Sequence, residues 1–337
     1  MRAPITVIIV AFNHAGYVRG CLDSTLRQDL LPERVLVIDD CSQDGTAEEV
    51  AAYIADLPQD SPTVELRAHP ENIGLCRSLN EALDSISTEF MAYISADDVM
   101  EPARFQRQFA LIAQAGTDCA AVYSDALRID EEGRPLPELF SDVHQWRSRA
   151  CRSGDVYLEL LADGNWIPAP SLLLRTAAVR EAGGYDPELF YEDFDLLLRL
   201  ARHHSIDVID APLVSFREVR ASLGHTEFSF TNPRFLRAMV RIYQKNLGVT
   251  MTSDAVAVSR LKYWILRLWF AGAAASEVLP LLQSLDRAVA GWSTSIWIGL
   301  VRSRLPGRSM YRLASVTQRA SSRARRVLRS PTRDSVG

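Results

Sequence analysis

Lysine is nearly absent: Lys245 and Lys262 are the only two among 337 residues. Neither sits in a glycine-rich loop, which excludes a P-loop, where a lysine must reach phosphate oxygens. No G-x-G-x-x-G follows the first apolar run, which argues against a dinucleotide fold, and no G-x-S-x-G offers a serine nucleophile elbow. Cysteine is scarce as well. Cys21, Cys41, Cys76, Cys119 and Cys151 are odd in number and widely spaced, with no C-x-x-C pair. That spacing argues against a disulfide framework or a thiolate zinc site and fits a reducing compartment. Long apolar runs are also missing. The most hydrophobic stretch, 263–285, is interrupted by Arg267, Glu277 and Pro280, and 288–301 is too short to span a bilayer. The opening MRAPITVIIVAFN has too short an apolar run for a signal peptide.

What is present is an ordinary globular composition, 47% hydrophobic and 23% charged, with a marked division of charge. Residues 1–230 hold 19 basic and 38 acidic side chains, a net −19, whereas residues 231–337 hold 18 and 4, a net +14. An acidic body argues against nucleic acid as a partner and suits a site that holds a divalent cation through carboxylates. Residues 301–337 carry ten arginines and one acid, Asp334, just after Trp292, Ile296, Trp297, Ile298 and Leu300. Cations beside aromatic and aliphatic anchors predict peripheral attachment to an anionic membrane surface; the competing reading is a solubilising, unstructured tail.

Along the body, short β-branched runs alternate with helical patterns. Strands are expected at 5–11, 34–39, 64–68, 90–95 and 119–124, with helices at 17–26, 47–57, 72–86 and 102–115. Asp44-Gly45-Thr46 reads as a helix start. Repeated βαβ units imply right-handed crossovers, so the expected class is α/β, a mainly parallel sheet with helices on both faces. Further on, short strands are expected at 171–175 and 206–209 and a helix at 191–202. A C-terminal helical extension is expected at 235–247, 256–275 and 279–290.

In open α/β sheets, ligands sit beyond the carboxyl ends of the strands. Three expected strand ends bring Asn13, the pair Asp39-Asp40 and the pair Asp97-Asp98 to one rim. A single acid there is usually a cap or a turn residue. Doubled acids repel each other, and a Mg²⁺ or Mn²⁺ ion shared with substrate phosphates would relieve that repulsion. A second constellation is Glu192-Asp193 ahead of Leu196, Leu197 and Leu200, which places Asp193 in line with an apolar stripe. A first-turn acid also complements the helix dipole, so the helix alone leaves two readings: a dipole partner, or a general base at the edge of the core.

The segments VIIVAFNHAGYVRGCLDSTLRQ, VLVIDDCSQDGT, NIGLCRSLNEAL, YISADDVMEPARF, GGYDPEL and YEDFDLLLRLA, followed by Phe216-Arg217, strongly resemble the family 2 glycosyltransferases of the GT-A fold, over roughly residues 4–217. The resemblance implies a domain over 1–230, with nucleotide-sugar binding in 1–125 and acceptor binding and the catalytic base in 126–230. The helical extension would then occupy 231–300 and the basic tail 301–337. It implies nucleotide contacts at Ala11, Phe12, Asn13, Asp39, Asp40 and Asp97, with the acidic pair accepting the imide N–H of uracil or thymine, and a donor-side loop at Asn72, Gly74 and Arg77. It implies Mg²⁺ or Mn²⁺ on Asp97 and Asp98. Ser95 replaces the first acid of the family's usual triplet, so the pair alone would carry the ion. It implies a catalytic base from Glu192 and Asp193, with Asp193 preferred, and acceptor contacts at Asn165 and Trp166. Trp166 could equally be core. The family often carries an Arg-x-His signature after the last strand. Here Arg217 is retained as a diphosphate-contact candidate and the His is missing, with Arg220 or His225 as candidate replacements. The implied activity is inverting transfer of a sugar from a UDP- or dTDP-sugar to a hydroxyl of a saccharide or lipid-linked acceptor, at the cytoplasmic face of the membrane. A silent nucleotide-sugar-binding partner and a sugar nucleotidyltransferase are the alternatives, and the latter lacks its glycine-rich loop and lysine.

Overall fold

A computed structural model describes residues 2–143, 153–219, 227–288 and 292–302. Cys151, Arg220, His225 and the arginines beyond Arg302 lie outside the described residues. The first half runs β1 (Arg2–Ala11), α1 (Val18–Leu26), β2 (Leu31–Asp39), α2 (Thr46–Ala55), β3 (Thr63–Ala68), α3 (Leu75–Ser85) and β4 (Phe90–Ser95). It continues through β5 (Val99–Met100), α4 (Arg104–Gln114) and β6 (Cys119–Ile129), then α5 (Phe140–Val143), α6 (Tyr157–Asp163), β7 (Leu173–Arg175), α7 (Thr176–Glu181), α8 (Glu192–Ala201) and β8 (Ser205–Arg217).

The eight strands form one sheet in the order β3-β2-β1-β4-β7-β6-β8-β5. β1, β2, β3 and β4 pair in parallel, as their apolar runs require. Ile5, Val7, Ile8 and Ile9 of β1 are fully buried, as expected of a strand covered on both faces. The second half is mixed rather than parallel. β7 inserts antiparallel between β4 and β6, and β5 pairs antiparallel with β8. β6 and β8 pair in parallel, but over 11 and 13 residues, longer than their apolar cores predict. Their register shifts around Ser124–Asp125, where a buried carboxylate interrupts the ladder and turns to Ser141.

Helix ends follow local chemistry. α3 starts at Leu75 rather than at residue 72, because Gly74 takes φ +86° at the helix entry. Asp44 accepts from the Thr46 N–H, so its acid secures the start of α2 as its motif suggests. Gly184 has φ +69°, and a Cβ there would stand 2.6 Å from Asn80 Oδ1. That close approach lets the Asn80 side chain pair with both the N–H and the carbonyl of Tyr185, tying α3 to the turn ahead of α8.

The chain divides into two compact units, 1–222 and 223–337. In the described part of the second, Asn232 caps α9 (Pro233–Gln244) by accepting from the Arg234 N–H. Thr250 and Ser253 form a reciprocal capping box on α10 (Met251–Phe270). These caps start both helices ahead of their apolar patterns. α11 (Ala275–Ala288) and α12 (Trp292–Arg302) follow. Among the described residues, no helix is long and apolar enough to cross a membrane.

Candidate active site

The rim at the ends of β1, β2 and β4 is assembled by side chains that bond across loops. Ala11 ends β1 fully buried, and the next residue, Phe12, is 46% exposed. Asn13 adopts φ +58°, a conformation asparagine tolerates better than most residues. Its N–H donates to Ser42 Oγ at 2.8 Å, and its Oδ1 accepts from the Gln43 N–H at 2.9 Å. The loops after β1 and β2 are thereby joined, leaving the Phe12 side chain open beside them.

The acidic pair after β2 splits its duties. Asp40 accepts from the N–H groups of Ile73 and Gly74, each at 2.9 Å, and faces His69 Nδ1 at 3.0 Å. The other nitrogen of His69 meets Glu81 at 3.1 Å. Asp40 therefore helps to shape the loop that opens α3. Asp39 accepts only local bonds, from the backbone and hydroxyl of Ser42. Arg77 is exposed on the first turn of α3. His69 carried no signal in the sequence: a histidine after an edge strand reads as surface.

Asp97 and Asp98 follow β4 and are both buried, Asp98 to 3% exposure. Asp98 Oδ1 accepts from the Arg217 backbone N–H at 2.8 Å, and His14 Nε2 stands 3.9 Å from Asp97. Burial pushes the Asp98 carboxyl well above its usual range. Asp97 adds to that rise, and Arg217 and Arg104 oppose it. Arg104 lies wholly within the core on α4, donating to Gln108 and the Leu172 carbonyl, and burial lowers its guanidinium to about 9. A first-turn arginine reads as a surface residue in sequence, so this buried countercharge was invisible there. The Arg217 guanidinium donates to the carbonyls of Asp97, Asp130 and Glu131 and lies 4.9 Å from the Tyr17 ring centroid. Its Nε and Nη1 thus brace the acidic turn from below.

No group of three or more acidic, histidine or cysteine ligands occurs among the described residues. Two adjacent buried carboxylates nonetheless fit Mg²⁺ or Mn²⁺, which commonly take one or two carboxylates and complete their shell with substrate phosphates and water. Asp97 and Asp98 are the residues that would hold such an ion.

The second constellation opens α8. Asp193 Oδ1 accepts from the Phe194 N–H and Oδ2 from Asn165 Nδ2, both at 2.8 Å. Burial raises the Asp193 carboxyl to about 6 against these bonds, and raises Glu192 well above its usual range with Asp193 adding to it. The stripe behind them, Leu196, Leu197 and Leu200, is buried as the spacing predicts. Asp195 is excluded as a base, because its carboxylate pairs with Arg199 at 2.7 Å inside the core. Trp166 is a core residue and not a sugar platform: it is 5% exposed and its indole N–H donates to Tyr123 Oη. The two acidic centres lie within electrostatic reach of one group, since Tyr93 on β4 is raised by burial and then by Glu192, Asp193 and Asp98.

Residues 6–160 match the family model described as Glycosyl transferase family 2. The succinoglycan biosynthesis protein ExoO of Rhizobium meliloti is 30% identical over 139 residues, covering 41% of this chain and 37% of ExoO. The chain thus spans well under two thirds of that relative's length. Among solved structures, TarS 1-349 of S. aureus in complex with UDP-GlcNAc aligns with TM-score 0.60 at 18% identity, covering 85% of this chain and 81% of TarS. The mannosyltransferase PcManGT of Pyrobaculum calidifontis, in complex with GDP-Man and Mn²⁺, aligns with TM-score 0.57 at 19% identity over 92% of this chain and 83% of its own. Residues 6–160 are thus similar to glycosyl transferase family 2, and the chain shares the GT-A fold of these solved structures.

Proposed function

We propose that the chain is an inverting glycosyltransferase that moves a sugar from a UDP- or dTDP-sugar to a hydroxyl of a saccharide or lipid-linked acceptor in bacterial surface polysaccharide synthesis. The observation that carries the reading is Asp193: a carboxylate at the start of α8 held by two donors, the Phe194 N–H and the Asn165 amide, with desolvation raising it to about 6. ExoO's role in succinoglycan biosynthesis and the sugar nucleotides bound by TarS and PcManGT support the substrate class.

In this mechanism Asp193 takes the proton of the acceptor hydroxyl as its oxygen attacks the anomeric carbon opposite the leaving diphosphate. The configuration inverts in that single displacement. A base with a midpoint just below neutrality is ionised at pH 7 yet still a competent proton acceptor. A carboxylate of the Asp39-Asp40 pair would accept the base imide N–H, and Phe12 offers an exposed ring just after β1. Mg²⁺ or Mn²⁺ on Asp97 and Asp98 would supply positive charge against the leaving diphosphate. Most of the acceleration would come from alignment and electrostatics.

A panel of UDP-, dTDP- and GDP-sugars, assayed by thermal shift with Mn²⁺, tests the donor. A Tm rise confined to uridine and thymidine sugars is expected, followed by diphosphate release when a lipid-linked acceptor is added. Stabilisation by GDP-sugars alone, or by no sugar nucleotide, refutes the reading.

The charge division extends it to the membrane. Arg302 closes α12, and nine further arginines follow it in sequence. Such a tail beside Trp292 and Trp297 would dock the enzyme on anionic lipid, on the surface that holds a lipid-linked acceptor. Full-length protein is expected to sediment with anionic liposomes, less so at high salt, and a truncation ending near residue 290 to remain in solution. Equal partitioning of both forms argues for a merely solubilising tail.

A further inference from the structure

We propose that Asn165 is a positioning residue: its amide holds the Asp193 carboxylate as the ionised member of the Glu192-Asp193 pair and fixes that carboxylate's orientation. The inference rests on the reading of Asp193 as the base, and gives Asn165 a task other than acceptor contact.

The geometry leaves the Asn165 amide little choice. Its Oδ1 accepts from the Ile167 N–H at 2.9 Å, and its Nδ2 donates to Asp193 Oδ2 at 2.8 Å. Flipping the amide would orphan the Ile167 N–H and set two acceptors against each other, so the NH₂ must face Asp193. Both polar ends of the side chain are thereby engaged within the protein.

Adjacent acids in a poorly solvated site do not both ionise readily, and their titration belongs to the pair. Which acid keeps the proton depends on the donors each receives. Asp193 receives the Asn165 amide and the Phe194 N–H, whereas among the described residues the hydrogen bond favouring ionised Glu192 comes from its own backbone. The titratable groups facing the pair are Tyr93 from β4, Cys76 from α3 and Tyr185 from the turn before α8. Burial raises all three, so they stay neutral near pH 7 and supply no positive charge. Arg199, nearly two turns along α8, is taken by Asp195. Asn165 is thus the one side-chain donor on Asp193 among the described residues, and it biases the shared proton toward Glu192.

Carboxyl-¹³C NMR of aspartate-labelled protein tests this, with the Asp193 resonance assigned by its loss in Asp193→Asn. A wild-type midpoint near 6 is expected. In Asn165→Ala it should rise by about one pH unit, roughly tenfold in the acid constant, as loss of a hydrogen bond to a charged group implies. Asn165→Ser keeps a short acceptor for the Ile167 N–H and lacks the amide donor without adding a charge, so it should raise the midpoint similarly, and it decides the matter if alanine unfolds the loop. In the wild type, the Asn165 side-chain NH₂ signals should follow the same midpoint and lose that inflection in Asp193→Asn. An unmoved Asp193 midpoint in a folded variant, or Asn165 signals blind to that titration, overturns the proposal. No sugar is needed for these measurements. A wild-type protein that transfers nothing would defeat the functional reading while the titration still judged Asn165.

Discussion

Asp193→Asn is expected to leave folding and sugar-nucleotide binding intact and to lower kcat by about 100- to 10,000-fold, the range that general-base removal commonly costs. The amide keeps an oxygen for the Phe194 N–H and the size of the carboxyl group, so the entry of α8 survives at the cost of the Asn165 bond, whose donor then meets the new NH₂. What disappears is the proton acceptor. The wild-type pH profile carries the same signature. Burial raises this carboxyl to about 6, so activity should fall as pH drops through about 6 and the base protonates, and stay level above it. Steady-state diphosphate release and calorimetric donor binding check both points. Near-normal kcat in Asp193→Asn would remove Asp193 from the mechanism. Glu192→Gln should be far milder if Asn165 leaves the proton of the pair on Glu192, since burial favours that acid's neutral form and glutamine resembles it.

Asp98→Ala is expected to abolish transfer and the Mn²⁺ dependence of donor binding. Alanine also removes the acceptor for the Arg217 N–H, so Asp98→Asn is the cleaner companion: it keeps that bond and drops the charge. The two losses should therefore appear in both variants. The stability effect has the opposite sign. Asp98 is a buried carboxylate beside Asp97, and ionising it opposes folding when no cation is present. Without Mn²⁺, Asp98→Asn should melt at or above the wild-type temperature at pH 7, a functional site maintained at the expense of stability. Unchanged Mn²⁺-dependent donor binding in Asp98→Asn would remove Asp98 from the ion site.

Much of this was legible in sequence where the signal is local. The β-branched runs of β1, β2 and β4 announce buried parallel strands, and the acids after β2 and β4 announce a polar rim, because each depends on a few consecutive residues. The stripe of Leu196, Leu197 and Leu200 likewise placed Asp193 at the edge of the core. What escaped depends on partners far along the chain. β5 has only two residues, too few for any periodicity. β7 has three, and its insertion between β4 and β6 is decided by edges that no local pattern reveals. Trp166 offered an amphipathic side chain in a loop, and only Tyr123, on β6, shows that its polar end turns inward. Asp40 looked like the twin of Asp39 until Ile73, Gly74 and His69 arrived from another segment to claim it.

The strand order also sets a timetable for synthesis. β1 to β4 can pair among themselves as soon as residue 95 has emerged, because every partner in that parallel set lies upstream. The half that carries Asp193 has no such independence. β7 must reach back to Phe90–Ala92, and β6 waits for β8, pairing Cys119 with Ser205 and Ile129 with Arg217. Closing such distant contacts is slow, since chain entropy is lost before the pairing returns anything. Until Leu173–Arg175 arrives, the nascent chain presents β4 as an uncovered strand edge with Met91 and Ala92 along it, a template for pairing with another chain. A chain halted after β4 has emerged and before β7 is made would therefore hold a formed parallel half with a sticky flank, and the three residues of β7 are what seal it.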